Sequence, residues 1–190
     1  MGGTASGFHA LDNRASGGEN SDLVMRAARP AMGKTAFALS MAKHIAIDQG
    51  IPMALFSLEM SDVQLVNRLI VNTCEIKREK IKSGQLEPHE WMQLDNKITE
   101  LYGKPLYIDD TPSLSVFELR TKARRLVREH GVRIIMIDYL QLMNASGMNF
   151  NSRQEEVSTI SRSLKGLAKE LNIPIIALSQ LNRGVENRTG

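Results

Sequence analysis

From Leu23 to the end of the chain, short apolar runs rich in β-branched residues alternate with longer stretches whose apolar positions recur every three or four residues. The short runs read as buried strands and the longer ones as amphipathic helices. Their regular alternation predicts an α/β fold, a mostly parallel central sheet of at least five strands with helices on both faces. Strands are expected at Leu23 to Ala27, Met53 to Leu58, Leu106 to Ile108, Arg133 to Ile137 and Ile173 to Leu178. Helices are expected from Thr35 to Ala46, from Val63 to Cys74 behind Ser61, and from Glu87 to Tyr102. Two more follow capping boxes: Ser115 with Glu118 before Leu119 to Glu129, and Ser152 with Glu155 before Val157 to Leu171. Gly50, Gly103 and Gly131 punctuate helix ends, and Trp91, the single tryptophan, is expected to anchor a core. The longest irregular piece, Asn144 to Asn151, is rich in Asn, Gly and Ser, so it is expected to be mobile and placed for function.

Length and composition narrow this picture without redirecting it. At 190 residues, 42% apolar and 24% charged, the chain is expected to be one domain, residues 1–190, with a core that needs no disulfide or metal. A net charge of +3 does not by itself point to nucleic acid. The lone Cys74 excludes an intrachain disulfide and reads as a small buried residue in a reducing compartment. His9, His44, His89 and His130 are scattered without ligand spacing, which argues against structural zinc. No apolar run reaches the roughly 18 residues of a membrane span, and the first residues lack the pattern of a signal peptide, so a cytoplasmic protein is expected.

The chemistry concentrates just past the strands, where open α/β sheets bind ligands. Behind the first strand, Ala28 to Thr35 read A-R-P-A-M-G-K-T, a Walker A ending with alanine in place of the first glycine. In such a loop backbone amides wrap the phosphates, the lysine reaches the terminal phosphates and the hydroxyl holds Mg²⁺. Ala28, Arg29, Pro30, Ala31, Met32, Gly33, Lys34, Thr35 and Ala36 are therefore the candidate nucleotide-binding residues, opening a helix whose N-terminus favours anions. Asp138 follows the run Ile134 to Ile137 as in a Walker B element and is the expected partner of Thr35 in holding Mg²⁺ through its water shell. Many ATPases carry a glutamate directly after that aspartate, but here Tyr139 follows. Glu59, past the second strand, is the best remaining carboxylate to activate water, with Leu58 and Met60 expected to limit solvent around it. Gln180, past the fifth strand, is suited to sensing the γ-phosphate.

Five segments taken in order carry a specific resemblance: S-G-F-H-A-L-D from Ser6, A-A-R-P-A-M-G-K-T-A-F-A-L from Ala27, F-S-L-E-M-S from Phe56, I-D-Y-L-Q-L-M from Ile137 and A-L-S-Q-L-N-R-G-V-E-N-R from Ala177. Together they resemble the RecA-like C-terminal motor domain of the bacterial replicative DNA helicase, the DnaB-type hexamer, over nearly the whole chain. The resemblance implies ATP hydrolysis with Mg²⁺, coupled to movement on single-stranded DNA and duplex unwinding during replication, in the 5′–3′ direction by resemblance alone. It accounts for Ala28, which the family commonly carries, and implies that the Gln180 strand lies between those of the phosphate loop and Asp138. Glu59 resembles the catalytic glutamate, and Arg68 an arginine near the nucleotide and DNA face. Implied partners are the chain's own copies in a six-membered ring, primase and a helicase loader. The family's N-terminal domain, linker helix, main DNA-contacting loop and arginine finger have no counterpart in these residues, so this fragment alone is expected to be nearly inactive.

Some features stand apart from the resemblance. Arg26 puts a charge inside the first strand where the family usually has an aliphatic residue, a costly choice in a central strand. Candidate DNA contacts are the loop from Asn144 to Arg153, Arg153 itself, Arg183 and Arg188. The basic positions Arg120, Lys122, Arg124, Arg125 and Arg128 share a helix with Leu119, Ala123, Leu126 and Val127 and read as a solvated outer face. A RecA-like recombination or repair ATPase, a P-loop phosphotransferase and a non-hydrolysing ring or adaptor module remain as alternatives.

Overall fold

The computed structural model describes residues 23–28, 32–73, 76–138, 142–145 and 149–180. Its centre is an all-parallel sheet of five strands, β1 (Leu23–Ala28), β2 (Met53–Ser57), β3 (Leu106–Asp109), β4 (Ile134–Asp138) and β5 (Ile175–Gln180), in the order β1-β5-β4-β2-β3. The β5 strand thus lies between the strands that end at the phosphate loop and at Asp138. Around it run α1 (Met32–Ala42), continued by a π-helical turn (Lys43–Asp48), then α2 (Asp62–Thr73), α3 (Arg78–Ser83), α4 (Pro88–Tyr102), α5 (Val116–His130) and α6 (Arg153–Leu171).

Parallel strands buried on both faces must be apolar at odd and even positions alike, which is why β2 and β4 read as unbroken hydrophobic runs. Their alternation splits the core in two. Ala54, Phe56, Ile135, Ile137, Ile175 and Ala177 face one way, against Leu119 and Ala123 of α5 and Ile160, Leu164 and Leu167 of α6. Met53, Leu55, Ile134, Met136, Ile176 and Leu178 face the other way, against Ala38, Leu39 and Met41 of α1 and Leu65 and Leu69 of α2. Each strand therefore ends at one shared edge, with register pairs Ala28 with Gln180, Ser57 with Asp138 and Phe56 with Asp109.

Helix starts follow their side-chain acceptors. Ser115 Oγ accepts from the Glu118 N–H at 3.1 Å and Ser152 Oγ from the Glu155 N–H at 3.1 Å, so α5 and α6 begin at Val116 and Arg153, three and four residues before their first expected apolar positions. Ser61 and Gln64 exchange bonds reciprocally ahead of α2. At the other end of α5, Gly131 stops the helix with φ 63°, a left-handed conformation that glycine adopts without strain. Gly103 instead caps α4 with φ −89°, so its role there does not need glycine.

Several expectations change. Trp91 is 45% exposed, because the buried line of α4 is Glu90, Leu94 and Ile98 at helical spacing, and Trp91 sits one position round from it. The short helix α3 was not anticipated; its Ile81 packs against the small cluster of Ile76 and Leu94. Arg26 lies in β1, the outermost strand of the described sheet, opposite Leu178. The start of the segment expected to be mobile is held fast: Met143 and Ala145 are 1% exposed, Asn144 O accepts from Val116 N–H at 2.9 Å, and Asn144 Nδ2 donates to Ser113 O at 2.8 Å. Cys74 lies outside the described residues. Among the described residues no helix is long and apolar enough to cross a membrane.

Candidate active site

β1 ends at Ala28 and α1 begins at Met32, so the phosphate loop spans the junction of a strand and a helix; Arg29, Pro30 and Ala31 lie outside the described residues. Met32, Gly33, Lys34, Thr35 and Ala36 make the first turn of α1, although the side chains of Met32 and Lys34 are outside the description. That turn carries no acidic residue to oppose an anion, which the partial positive charge of a helix N-terminus favours. Thr35 is 2% exposed, while Ala36 is exposed.

Asp138 closes β4 and is 1% exposed. It continues the alternation of Ile134 and Met136, the face on which α1 packs, so Thr35 and Asp138 occupy the same side of the sheet. A buried hydroxyl and a buried carboxylate are the hard oxygen donors that Mg²⁺ prefers, and Mg²⁺ characteristically takes only one or two protein carboxylates, with phosphates and water completing its shell. Among the described residues no group of three or more His, Cys, Asp or Glu comes together. The pair fits the ion by donor chemistry.

The turn after β2 is built from its own side chains. Ser57, 1% exposed, donates its hydroxyl to Met60 O at 2.7 Å and accepts from Met60 N–H at 3.2 Å, and the Leu58 N–H donates to Asp138 O at 2.8 Å. Leu58 then packs into the core on the α5 and α6 side, and Met60 against the core on the α1 side. Glu59 between them is exposed at the sheet edge. This corrects the expected shielding: Leu58 and Met60 turn inward to opposite faces rather than closing over Glu59. The part played by Ser57 was missed in the sequence, although a serine three residues before the end of a turn is the usual signal of such a bond.

Other candidates are dispersed. Gln180 ends β5 in register with Ala28, its side chain outside the description. Arg68 is half-buried on α2, about 9 Å along the helix from Asp62 at 1.5 Å per residue. Arg153 opens α6, donates to Met143 O at 2.9 Å and pairs with Glu156, so its guanidinium ties the end of the long segment to its beginning. Arg183 and Arg188 lie outside the described residues. On the basic face of α5, Arg124 makes a bidentate pair with Glu170 at 2.8 and 3.0 Å, and Arg125 pairs with Glu129 at 3.1 Å, as a solvated outer face would. The Arg124 hydrogen bonds hold the Glu170 carboxyl below its ordinary range, and those same bonds raise the guanidinium.

Lys122, on the same helix, turns instead toward β3, donating to Asp109 Oδ2 and Thr111 Oγ1, both at 2.8 Å. Thr111 N–H donates to Asp109 Oδ1 at 3.0 Å. Burial works to raise the Asp109 carboxyl, but these bonds outweigh it and hold the group below its usual value. Asp110 next to it accepts from the Asp62 N–H at 3.0 Å, capping α2.

Known proteins share this fold. The model of the DnaB-like helicase C terminal domain matches residues 3–190. The replicative DNA helicase DnaB of Nostoc sp. is 50% identical over 98% of this chain and 21% of its own length, and that of Geobacillus stearothermophilus is 49% identical over 98% and 41%. Among solved structures, an isolated ATPase domain superposes with a TM-score of 0.87 at 41% identity, covering 98% of this chain and 66% of that one. A DnaB-like replicative helicase, described with its interactions with primase, gives a TM-score of 0.85 at 41% identity over 99% of this chain and 45% of its own. The chain thus spans less than half the length of the two curated relatives. With the Gln180 strand between those of the phosphate loop and Asp138, as the resemblance implied, and a family match over almost every residue, the chain belongs to the DnaB-like helicase C-terminal domain family.

Proposed function

We propose that this chain is the ATP-hydrolysing motor of a replicative DNA helicase, working on single-stranded DNA in the cytoplasm as one member of a ring of identical subunits. The observation that carries the reading is the placement of buried Thr35 and Asp138 on one side of the sheet, with the Glu59 turn hydrogen-bonded to the Asp138 backbone. The first turn of α1 binds the phosphates through its free N–H groups, and Lys34 supplies positive charge at the terminal phosphate. Thr35 and Asp138 would hold Mg²⁺, which, when bound, offsets the phosphate charge. Glu59 orients the attacking water and accepts its proton, and Gln180, at the end of β5 beside the phosphate loop strand, senses the γ-phosphate. An arginine from a neighbouring subunit completes the site, and without one the rate falls by a factor on the order of 10³ or more. Primase and a loader protein are the expected partners of the assembled ring.

Steady-state ATP turnover by the assembled ring tests this. Glu59→Gln keeps the side chain's size but cannot take the proton, and is expected to lower kcat by about 10²–10⁴-fold with nucleotide affinity retained. Lys34→Ala is expected to abolish turnover through lost binding as well. Unchanged turnover in Glu59→Gln beside a dead Lys34→Ala would show that another group activates water.

A further inference from the structure

We propose that Ser57 is a positioning residue for the hydrolytic step, acting through Glu59; the inference rests on the water-activating role just assigned to that glutamate. Ser57 is the last residue of β2, in register with Asp138, and is 1% exposed. A buried hydroxyl must find partners, and this one spends its donor and its acceptor on the same residue, Met60 O at 2.7 Å and Met60 N–H at 3.2 Å. The two bonds close a ring around Leu58 and Glu59. A second tie, from Leu58 N–H to Asp138 O at 2.8 Å, fixes the near side of the turn to the strand that ends in the metal-site carboxylate. Glu59 sits at the apex between these anchors.

The packing around the turn does not supply the same constraint. Leu58 and Met60 are drawn to opposite cores, which holds the flanks, whereas the two Ser57 hydrogen bonds are what close the turn across Glu59. Activation of water is steeply sensitive to placement, since a misplacement of about 1 Å costs on the order of 10²-fold in rate. Glu59 is the exposed residue of this turn, and the placement of its backbone bears directly on where its carboxylate can reach. Ser57 sets it, without touching substrate.

The test is a double-mutant cycle on ATP turnover of the assembled ring, with Ser57→Ala, Ser57→Thr, Glu59→Gln and the Ser57→Ala, Glu59→Gln pair. Ser57→Ala is expected to lower kcat about 10-fold with KM for ATP within about 2-fold, the pattern of an interaction that matters only in the transition state. Ser57→Thr keeps the hydroxyl and is expected to recover most of that loss. In the Glu59→Gln background Ser57→Ala is expected to have no further effect, which a merely structural serine would not show. Where the alanine protein does not fold, Ser57→Cys keeps the volume while weakening both hydrogen bonds, and enters the same cycle. Equal losses in both backgrounds, a rise in KM with kcat unchanged, or no loss from Ser57→Ala beside a large loss from Glu59→Gln would each overturn the inference while leaving the role of Glu59 intact. Unchanged turnover in Glu59→Gln itself would instead remove the reading on which it stands.

Discussion

Replacing Asp109 by asparagine probes how the far edge of the sheet is fastened. Asp109 ends β3, the outermost strand on that side, and joins it to α5 through Lys122 at 2.8 Å, while Thr111 N–H donates to its other oxygen at 3.0 Å. Asparagine keeps an oxygen for Thr111 but loses the charge that faces Lys122. A fully buried charged hydrogen bond contributes about 1.5–3 kcal/mol. Here the two side chains are 25% and 36% exposed, so solvent screens the pair and about 1 kcal/mol is expected at pH 7. For a chain of this size that is a fall of about 2–4 °C in Tm. The pH dependence has a definite sign. Because the folded carboxyl is held below its unfolded value of about 3.9, the stabilisation is complete above that value and disappears as pH falls through the lower, folded one. Urea midpoints of the native and Asp109→Asn chains, followed by circular dichroism from pH 7 to pH 3, should therefore stay apart down to about pH 5 and converge below it. A gap that persists unchanged at pH 3 would mean that the substitution acts through packing or the turn, and that the Lys122 charge contributes nothing.

Three further outcomes follow from the described residues. Leu164→Ala on α6, at a fully buried position between that helix and the sheet, is expected to cost about 3 kcal/mol, read as a drop of urea midpoint with unchanged slope. Gly131→Ala and Gly166→Ala form a matched pair, since an added Cβ meets nothing within 4 Å at either site. Position 131 has φ 63°, so alanine there is expected to destabilise by about 1 kcal/mol, whereas position 166 lies inside α6 and alanine there should stabilise by about 0.5–1 kcal/mol, both read by thermal unfolding. Arg124→Ala is expected to leave single-stranded DNA affinity of the ring unchanged, measured by fluorescence anisotropy, because its guanidinium is already engaged by both oxygens of Glu170.

The parts of the fold that were legible are those where burial constrains every position. A parallel strand covered on both faces tolerates no polar residue until it ends, so the run Ile134 to Ile137 marked Asp138 as the edge of the site, whereas β2 ends at Ser57, one residue before the expected Leu58. Helix starts were legible through Ser115 and Ser152, whose acceptors appear as expected. Legibility failed where the answer depended on which neighbour a residue meets. The helical period gives the face of α4 only to within one position, and that one position decides whether Trp91 is core or surface. The composition of Asn144 to Asn151 argues for mobility, but composition cannot foresee that Asn144 bridges to Ser115 and is thereby stitched to the start of α5. Arg26 falls in the outermost strand of the described sheet, and strand order is not a local property of sequence.

Glu59 shows the same limit at the centre of the chemistry, and there it bears on mechanism. Its motif named the residue, and the apolar neighbours suggested a dry pocket. The sheet edge instead divides those neighbours, sending Leu58 to one core and Met60 to the other, because the turn closed between Ser57 and Met60 breaks the alternation that would put residues 58 and 60 on one face. The two carboxylates of the edge consequently stand in different solvents: Asp138 is 1% exposed among α1 and the strand ends, while Glu59 is exposed. An exposed carboxylate is open to bulk water and selects no particular molecule of it, so an efficient hydrolytic step requires solvent to be excluded from Glu59 when nucleotide is bound. The proposed ring supplies that exclusion from the adjoining subunit, together with the arginine. It follows that assembly should change the environment of Glu59 more than that of Asp138. Hydrogen exchange should accordingly show new protection in residues 57–61 on ring formation with nucleotide, and a ring that hydrolyses ATP without such protection would place the site away from the subunit boundary.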